Sequence, residues 1–294
     1  MKKLLLACLS ILFLFSLSFS QEEDTVNIHN EKIIKRKSES SDFSFRFRRG
    51  DNPFLKINYG LNYFKHAQAK NEFETIGGIQ LQIGYFREKS LRPKFIVNQT
   101  ERFITFRLIS ENFYNEDSYK GIKVKTNLFG LGQNKNYGYR TKNLSFLLGT
   151  GREFNWSFNK FDKNLMGVDT LILGIYDNNV MKFGEAYNSN ISIRAFDFVS
   201  LDLNYNYGLI FPRHLFLKHI GSLIIEEAVT EILRSFIDKV FKSRPFAGPV
   251  VNFVLKSTLA FAFYELKKER MNWPIKTASP LSYDFYNLGL KFSF

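Results

Sequence analysis

Cysteine is almost absent from this chain of 294 residues, since Cys8 is the only one. Cys8 lies inside the apolar N-terminal segment. A chain that loses this segment has no internal disulfide, no thiolate nucleophile and no cysteine-based metal site. Export without cysteine suits a bacterial envelope protein and argues against a small secreted domain stapled by disulfides.

Long apolar runs are also missing beyond the N-terminus. A helical membrane span needs about 20 consecutive apolar residues, and the mean hydropathy of this chain is only −0.19. Nevertheless 17% of the residues are aromatic, including 33 Phe and 14 Tyr. Aromatic side chains are favoured in β-strands, so the sequence predicts many apolar strands rather than membrane helices.

The sequence contains no binding or catalytic motif that explains the net charge of +13. Lys and Arg are scattered along the chain rather than gathered in one patch, and export makes a nucleic-acid partner unexpected. No glycine-rich phosphate loop or metal-ligand spacing stands out. We therefore expect no nucleic acid, no cofactor and no metal.

The first twenty residues have the pattern of a secretory signal. Lys2 and Lys3 precede the apolar stretch 4–19, and small residues at 18 and 20 precede the polar 21–24. We predict a signal peptide over 1–20 and a flexible periplasmic tail over 21–41. There are two alternatives to a cleaved signal peptide: an uncleaved membrane anchor and a lipoprotein site at Cys8.

From Asp42 onward the hydropathy pattern has a period of two, which predicts strands with one apolar and one polar face. The segments that show it best are 43–47, 55–63, 79–85, 104–108, 122–128, 144–148, 154–158, 201–209, 251–263 and 282–294. Several run about 10 to 14 residues, as a tilted membrane strand requires. Clusters of Asn, Asp, Gly and Lys predict turns at 115–118, 132–136, 177–179 and 188–190, and the strand assignment is weak at 94–98 and 180–187. A soluble β-sandwich is the alternative fold.

One segment has a helical period instead. Between about 214 and 243 an apolar stripe alternates with charged positions, which predicts one amphipathic helical insertion. The stripe residues that we single out are Ile220, Leu223, Ile224, Ile232, Phe236 and Val240.

The final strand carries the most specific pattern. Its apolar parity consists of Tyr286, Leu288, Leu290, Phe292 and Phe294. This pattern resembles the C-terminal β-signal of bacterial outer-membrane β-barrel proteins. The resemblance implies an all-β transmembrane antiparallel barrel over 42–294, located in the outer membrane of a bacterium with two membranes. Its implied partners are outer-membrane lipid and the barrel-assembly machinery. We expect about 12 strands, with 10 and 14 as alternatives.

The orientation of the helical segment follows if the C-terminus is periplasmic. The stretch 267–279 is then an external loop, and the strand predicted at 251–263 ascends. The helix before that strand is therefore expected at the periplasmic end. There it plugs the lumen, lies on the inner membrane surface, docks a periplasmic protein or packs on barrel loops.

Basic side chains with inward parity suggest a function. They are Arg46, Arg48, Lys56, Arg107, Lys123, Lys125, Lys256 and Lys291. A ring of cations selects anions, so the first hypothesis is a small pore or solute-binding barrel that favours anionic solutes. The second is a structural or interaction barrel whose periplasmic helix docks an envelope partner. The third is an envelope lipid hydrolase that uses His66; an enzymatic role stays undecided, with a non-enzymatic one favoured.

Overall fold

The computed structural model describes residues 51–91, 93–114, 121–161, 172–177 and 180–294. The predicted signal peptide, the predicted tail, Arg46 and Arg48 lie outside these residues, as does the strand predicted at 43–47.

The barrel consists of eight antiparallel strands, each paired with its neighbours in sequence, and β1 closes on β8. The strands are β1 (Asn52–His66), β2 (Ile76–Ser90), β3 (Ile96–Ile109), β4 (Val124–Arg140), β5 (Leu144–Phe161), β6 (Lys182–Ala195), β7 (Val199–Ile210) and β8 (Leu281–Ser293). Two helices separate β7 from β8: α1 (Phe216–Ser243) and α2 (Gly248–Glu269), joined by a short 3₁₀ turn (Pro245–Ala247). Closure leaves no unpaired strand edge, which is what lipid demands of a spanning sheet.

The prediction of about 12 strands is wrong. The strands are 12 to 18 residues long, so that 144–148 and 154–158, predicted as two strands, form the single strand β5. The predicted strand 251–263 is the interior of α2. Its second parity holds Val254, Ala260 and Ala262 beside the polar Asn252, Lys256 and Thr258, so apolar residues occur at both parities and the alternation of a half-buried strand is incomplete.

Two predicted turns lie in the middle of strands. The stretch 132–136 belongs to β4 and 188–190 to β6. Asn134, Asn136, Asn188 and Asn190 are buried and point into the barrel. The lumen of a membrane barrel is polar, and Asn and Gly supply small polar positions there. The same residues are typical of turns in soluble proteins.

The two ends of the barrel differ in their connections. At the proximal end, where β1 begins and β8 ends, the connections are the short segments 91–95, 141–143 and 196–198. At the distal end they are 67–75, 110–123, 162–181 and 211–280. Outer-membrane barrels have short periplasmic turns and longer external loops, so this asymmetry agrees with a periplasmic proximal end.

We expected the helical insertion at the periplasmic end, and this expectation is wrong for its start. The helix α1 begins at the distal end, because it follows the distal end of β7. The turn between the two helices, however, reaches the proximal end. The hydroxyl of Tyr139, near the end of β4, donates a hydrogen bond to the carbonyl of Phe246 (2.5 Å), and the rings of Phe95 and Phe246 are 6.3 Å apart. The two helices thus form a hairpin that runs the height of the barrel and returns.

Candidate functional site on the outer wall

Apolar side chains are buried at two levels of the barrel interior. At the distal end, residues from strands and loops pack together, among them Phe64, Ile109, Phe161, Tyr176 and Leu281. The Tyr176 hydroxyl donates to the carbonyl of Ser279 (3.3 Å), and burial raises the pKa of this phenol above its ordinary range.

A smaller apolar cluster lies inside the barrel toward the proximal end. Phe54, Phe86 and Phe103 project inward from β1, β2 and β3 and are buried against one another. The interior of an eight-stranded barrel is just wide enough for side chains to fill. Inward polar side chains such as Gln82, Asn136 and Ser157 are buried as well, so side chains fill the interior of the described barrel.

Inward cations are paired with inward acids across the lumen. Lys56 Nζ lies 2.8 Å from the Asp202 carboxylate and donates to the Asn204 side-chain carbonyl at 2.7 Å. Lys291 Nζ lies 2.6 Å from Glu101. Such contacts compensate buried charges that would otherwise be costly.

Two inward arginines complete the balance. Arg194 lies 2.5 Å from Glu88. Arg107 stacks over the rings of Tyr283 and Phe285, 5.4 and 4.7 Å from their centres. The strands therefore set four inward acids (Glu88, Glu101, Glu153 and Asp202) against four buried inward cations (Lys56, Arg107, Arg194 and Lys291). Three of these acids, Glu88, Glu101 and Glu153, lie in stretches whose parity the sequence pattern does not assign.

Three of the predicted lumen-facing cations lie elsewhere. Lys123 precedes β4 and pairs with Glu111 at 3.2 Å. Lys125 lies on β4 with the opposite parity and is exposed on the outer face. Lys256 belongs to α2. Lys123 and Lys125 were assigned to the wrong face because the strand register was not known. Lys256 was assigned to a strand face although its segment is a helix.

The outer wall is apolar over β1 to β3. Exposed side chains there are Ile57, Tyr59, Ile79, Ile83, Ile104, Phe106 and Leu108. This is the surface that a membrane barrel turns to lipid.

The wall is different over β4 to β8. One register row crosses these strands on the outer face and contains Gln133, Arg152, Tyr187, Tyr207 and Asp284, each paired with the next. Tyr207 is nevertheless only 1% exposed. Charged groups on the lipid face of a barrel cost up to about 2–4 kcal/mol near the bilayer midplane. These residues therefore require a protein cover, and the hairpin provides it.

A buried cluster of four charges joins the hairpin to the wall. Arg152 on β5 contacts Glu185 on β6 at 2.5 Å and Glu226 on α1 at 3.0 Å. Lys267 on α2 contacts Glu185 at 2.5 Å and also pairs with Glu226. The Tyr187 hydroxyl donates to Glu226 at 2.9 Å. The two positive and two negative charges balance, so both helices are held to the wall without net buried charge. This charge cluster is the strongest candidate site.

Further polar contacts fix the register of α2 on the wall. The hydroxyls of Tyr264 and Tyr205 both donate to Asp284, at 3.0 and 2.7 Å. Ser257 and Ser189 share a hydrogen bond of 3.0 Å. Because the acceptors and donors face outward from β6, β7 and β8, the hairpin lies outside the barrel. It does not plug the lumen.

An aromatic layer lies at the distal end of the same interface. His219 of α1 is buried against Phe154, Phe183 and Phe211, and the His214 ring lies 5.5 Å from it. His214 precedes α1, and its ring lies beside that of His219 although the two residues are five positions apart. Among the described residues, no group of three or more His, Cys, Asp or Glu side chains is placed to hold a metal.

The predicted apolar stripe of α1 is only partly turned to the wall. The buried residues of α1 are His219, Ser222, Glu226, Leu233 and Ile237. Ile224 and Ile232 are instead exposed, at 64% and 74%, and Ile220 is exposed at 36%. Leu223, Phe236 and Val240 are intermediate. The apolar stripe predicts contact with an apolar surface, whereas α1 contacts the charged side chain of Arg152 on the wall. The residue that marks the buried face in the sequence is Glu226, an acid that lies on the same side of α1 as Ser222 and Leu233.

The last strand shows its predicted alternation. Tyr286, Leu288 and Leu290 are exposed on the outer face of β8, Phe292 shares this face, and Phe294 is exposed beyond the strand. Their role as an assembly signal stays a prediction. His66 lies at the distal end, where its Nδ1 accepts a hydrogen bond from the backbone N–H of Gln68 and its ring contacts Tyr176. These contacts anchor a loop.

Within the described residues, one helical segment, Pro245–Glu269, is long and apolar enough to cross a membrane by length and composition. It comprises the 3₁₀ turn and α2.

Comparisons with known proteins add little to this geometry. No protein-family model matches the sequence, and no curated protein matches it. Among solved structures, Neisserial surface protein A (NspA) is similar with a TM-score of 0.39 and 10% identity, over 82% of this chain and 97% of that one. Ail, the attachment invasion locus protein of Yersinia pestis, is similar with a TM-score of 0.31 and 10% identity, over 83% and 99%. Ail in complex with the heparin analogue sucrose octasulfate gives 0.35 and 10%, over 83% and 99%.

Likeness at these scores supports no functional inference. The barrel architecture is established by the pairing of the strands and by the apolar outer and polar inner faces of the wall. A closed antiparallel barrel of eight strands, apolar outside and polar inside, is that of an outer-membrane β-barrel protein, so the predicted resemblance is confirmed, without a family assignment.

Proposed function

We propose that this protein is a closed outer-membrane barrel that anchors its helical hairpin in the bilayer for contact with another membrane-embedded protein. The observation that carries the proposal is the hairpin itself. Two strands of the wall, β5 and β6, contribute Arg152 and Glu185 to the charge cluster with Glu226 and Lys267 of the hairpin. Asp284 of β8 also accepts a hydrogen bond from the Tyr264 hydroxyl of α2. Charged groups on that face would destabilise a barrel whose outer wall contacts only lipid.

The lumen supports this proposal over a pore. A conducting barrel needs a wet path, whereas the inward side chains of the described barrel are buried, among them Lys56, Gln82 and Asn136. An anion-selective path further needs unpaired positive charge, whereas Lys56 and Lys291 are paired with acids. We therefore favour the interaction hypothesis over the passage of anionic solutes.

A photo-crosslinking experiment tests the proposal. The full chain with Cys8→Ser has no thiol, so a single cysteine accepts a maleimide benzophenone at a chosen site. Ile232→Cys places the probe on the exposed face of α1, and Ile83→Cys places it on the bare wall of β2 as the matched control. In outer-membrane preparations we expect protein adducts from position 232 and lipid adducts from position 83. Lipid adducts alone from both would contradict the proposal.

Conductance in planar bilayers provides the second test. The refolded protein is expected to give no single-channel steps under a salt gradient, because buried side chains fill the interior of the barrel. Stable steps, with a reversal potential showing preference for anions, would return the pore hypothesis to first place.

A further inference from the structure

Two lysines face each other on the outer wall at the distal end of the barrel. Lys125 on β4 and Lys160 on β5 are register partners, and both side chains are exposed. Opposed residues of an antiparallel pair have Cβ atoms about 4.5–5.5 Å apart, and like charges at such positions are destabilising. Within the part of the chain that the structure describes, neither lysine forms an ion pair. The pair therefore concentrates positive charge at one exposed point, where an anion would offset the repulsion.

The two lysines lie where the apolar band of the wall ends. On β5 the outward aromatic residues end at Phe158, and Lys160 is the next outward residue. On β1 the outward apolar residues end at Tyr63, and Lys65 follows in the same way. Aromatic residues flank the apolar band of a membrane barrel at its interfaces, and the distal end carries the longer connections. Lys125 and Lys160 therefore lie at the level of the external headgroups.

An apolar strip lies directly below the lysines on β3, β4 and β5. The next two register rows toward the proximal end hold mostly apolar outward side chains: Leu108, Phe158, Phe106, Phe129 and Trp156. All of them except Trp156 are exposed beside the hairpin. Asn127, exposed in the first row, adds an amide donor close to the lysines. A cationic point above an apolar strip is complementary to an amphiphile with an anionic head, whereas a soluble anion would use only the lysines.

We propose that Lys125 and Lys160 bind the phosphate group of a lipid in the external leaflet, with the acyl chains of this lipid on the apolar strip. Ammonium groups form charge-assisted hydrogen bonds with phosphate. A phosphate monoester carries about −1.5 to −2 charges at neutral pH, which balances both lysines, so the structure favours a phosphomonoester lipid. The site does not involve the hairpin, and the inference therefore goes beyond the proposed function without depending on it.

Quenching of Trp156 fluorescence by brominated lipid tests the site. Trp156 lies four residues before Lys160, about 13 Å along the strand, so bromine on the acyl chains of a bound lipid comes close to its indole ring. In the Trp273→Phe chain Trp156 is the only tryptophan. This chain is refolded into phosphatidylcholine vesicles that contain dibrominated phosphatidic acid or, in parallel, dibrominated phosphatidylcholine at the same mole fraction. Heat-modifiable mobility identifies the folded protein.

We expect phosphatidic acid to be preferred over phosphatidylcholine beside Trp156 by roughly 25-fold, since each lysine near a membrane surface contributes about fivefold. Lys125→Gln and Lys160→Gln should each lower the preference about fivefold, and the double variant should remove it. Equal quenching by the two lipids, or a preference that survives the double variant, would overturn the site.

A third lysine provides the matched control. Lys65 is exposed at the same end of β1, which lies across the barrel from β5. Lys65→Gln removes the same charge from the chain and should leave the preference at Trp156 unchanged. An equal loss in Lys65→Gln would mean that phosphatidic acid is attracted by the basic chain as a whole, which would overturn a site at Lys125 and Lys160.

Inorganic phosphate distinguishes the lipid from the free anion. At constant ionic strength, millimolar inorganic phosphate should not relieve the quenching, because it has no acyl chains to occupy the strip below the lysines. Relief of the quenching would overturn the lipid as the ligand. The result is separate from the crosslinking test of the hairpin: lipid adducts alone from position 232 would overturn the proposed function and leave this site standing.

Discussion

Removal of Lys267 tests whether the charge cluster holds the hairpin to the wall. In Lys267→Met the side chain keeps most of its volume but loses its charge, which leaves Glu185 and Glu226 with Arg152 alone. Lys267 is fully buried. Breaking one partner out of a buried ionic group costs about 3–5 kcal/mol, because the remaining charge is uncompensated. The docking equilibrium of the hairpin should therefore fall by roughly two to nearly four orders of magnitude, at 1.36 kcal/mol for each tenfold change.

A double variant provides the internal control. Lys267→Met with Glu226→Gln removes one charge of each sign and leaves the Arg152–Glu185 pair, so most of the loss should be regained. Lys268→Met serves as the matched lysine variant, because Lys268 pairs with Glu265 at a partly exposed site. Surface pairs contribute about 0–1 kcal/mol, so this change should be nearly neutral.

The two tryptophans of the chain report the state of the hairpin. Trp156 packs on the outer wall beside Phe183, at a ring distance of 5.8 Å. The carbonyl of Trp273 accepts a hydrogen bond from the Ser222 hydroxyl of α1 (2.6 Å). Urea titrations in detergent micelles, followed by tryptophan fluorescence, should show a transition that moves to lower urea in Lys267→Met only. Equal losses in the single and double variants, or in Lys268→Met, would refute the reasoning.

Two further predictions concern the barrel. Lys56→Met should lower the free energy of unfolding in urea by about 3–5 kcal/mol because Asp202 is left buried without its partner, and adding Asp202→Asn should recover most of it; the exposed Lys125→Met is the control, and equal losses would contradict the lumen pairing. Gly60→Val should abolish the heat-modifiable band, because a Cβ at Gly60 would lie 1.9 Å from the backbone oxygen of Tyr286 at the β1–β8 closure. Leu61→Val, facing outward, should keep the band.

Much of the wall was predictable because lipid and lumen impose opposite chemistry on alternate residues. Ile57 and Ile83 followed from the pattern as outward residues, and Lys56 and Lys291 as inward ones. Asn134 and Asn188 were misassigned to turns because their local chemistry is the same in a turn and in a polar lumen. The charge cluster was not predictable, since its members come from β5, β6, α1 and α2 and no local spacing links them.

The sequence by itself determined the alternation, and with it a sheet with one apolar and one polar face. It also determined that 216–243 is helical, because the apolar period changes there. Only the tertiary structure decided the number of strands, since closure depends on strand length and register rather than on any segment alone. It also decided that the helices lie on the outer wall, because that position depends on Arg152 and Glu185 meeting Glu226 and Lys267. Charges distant in sequence find one another only after the barrel has brought their strands together.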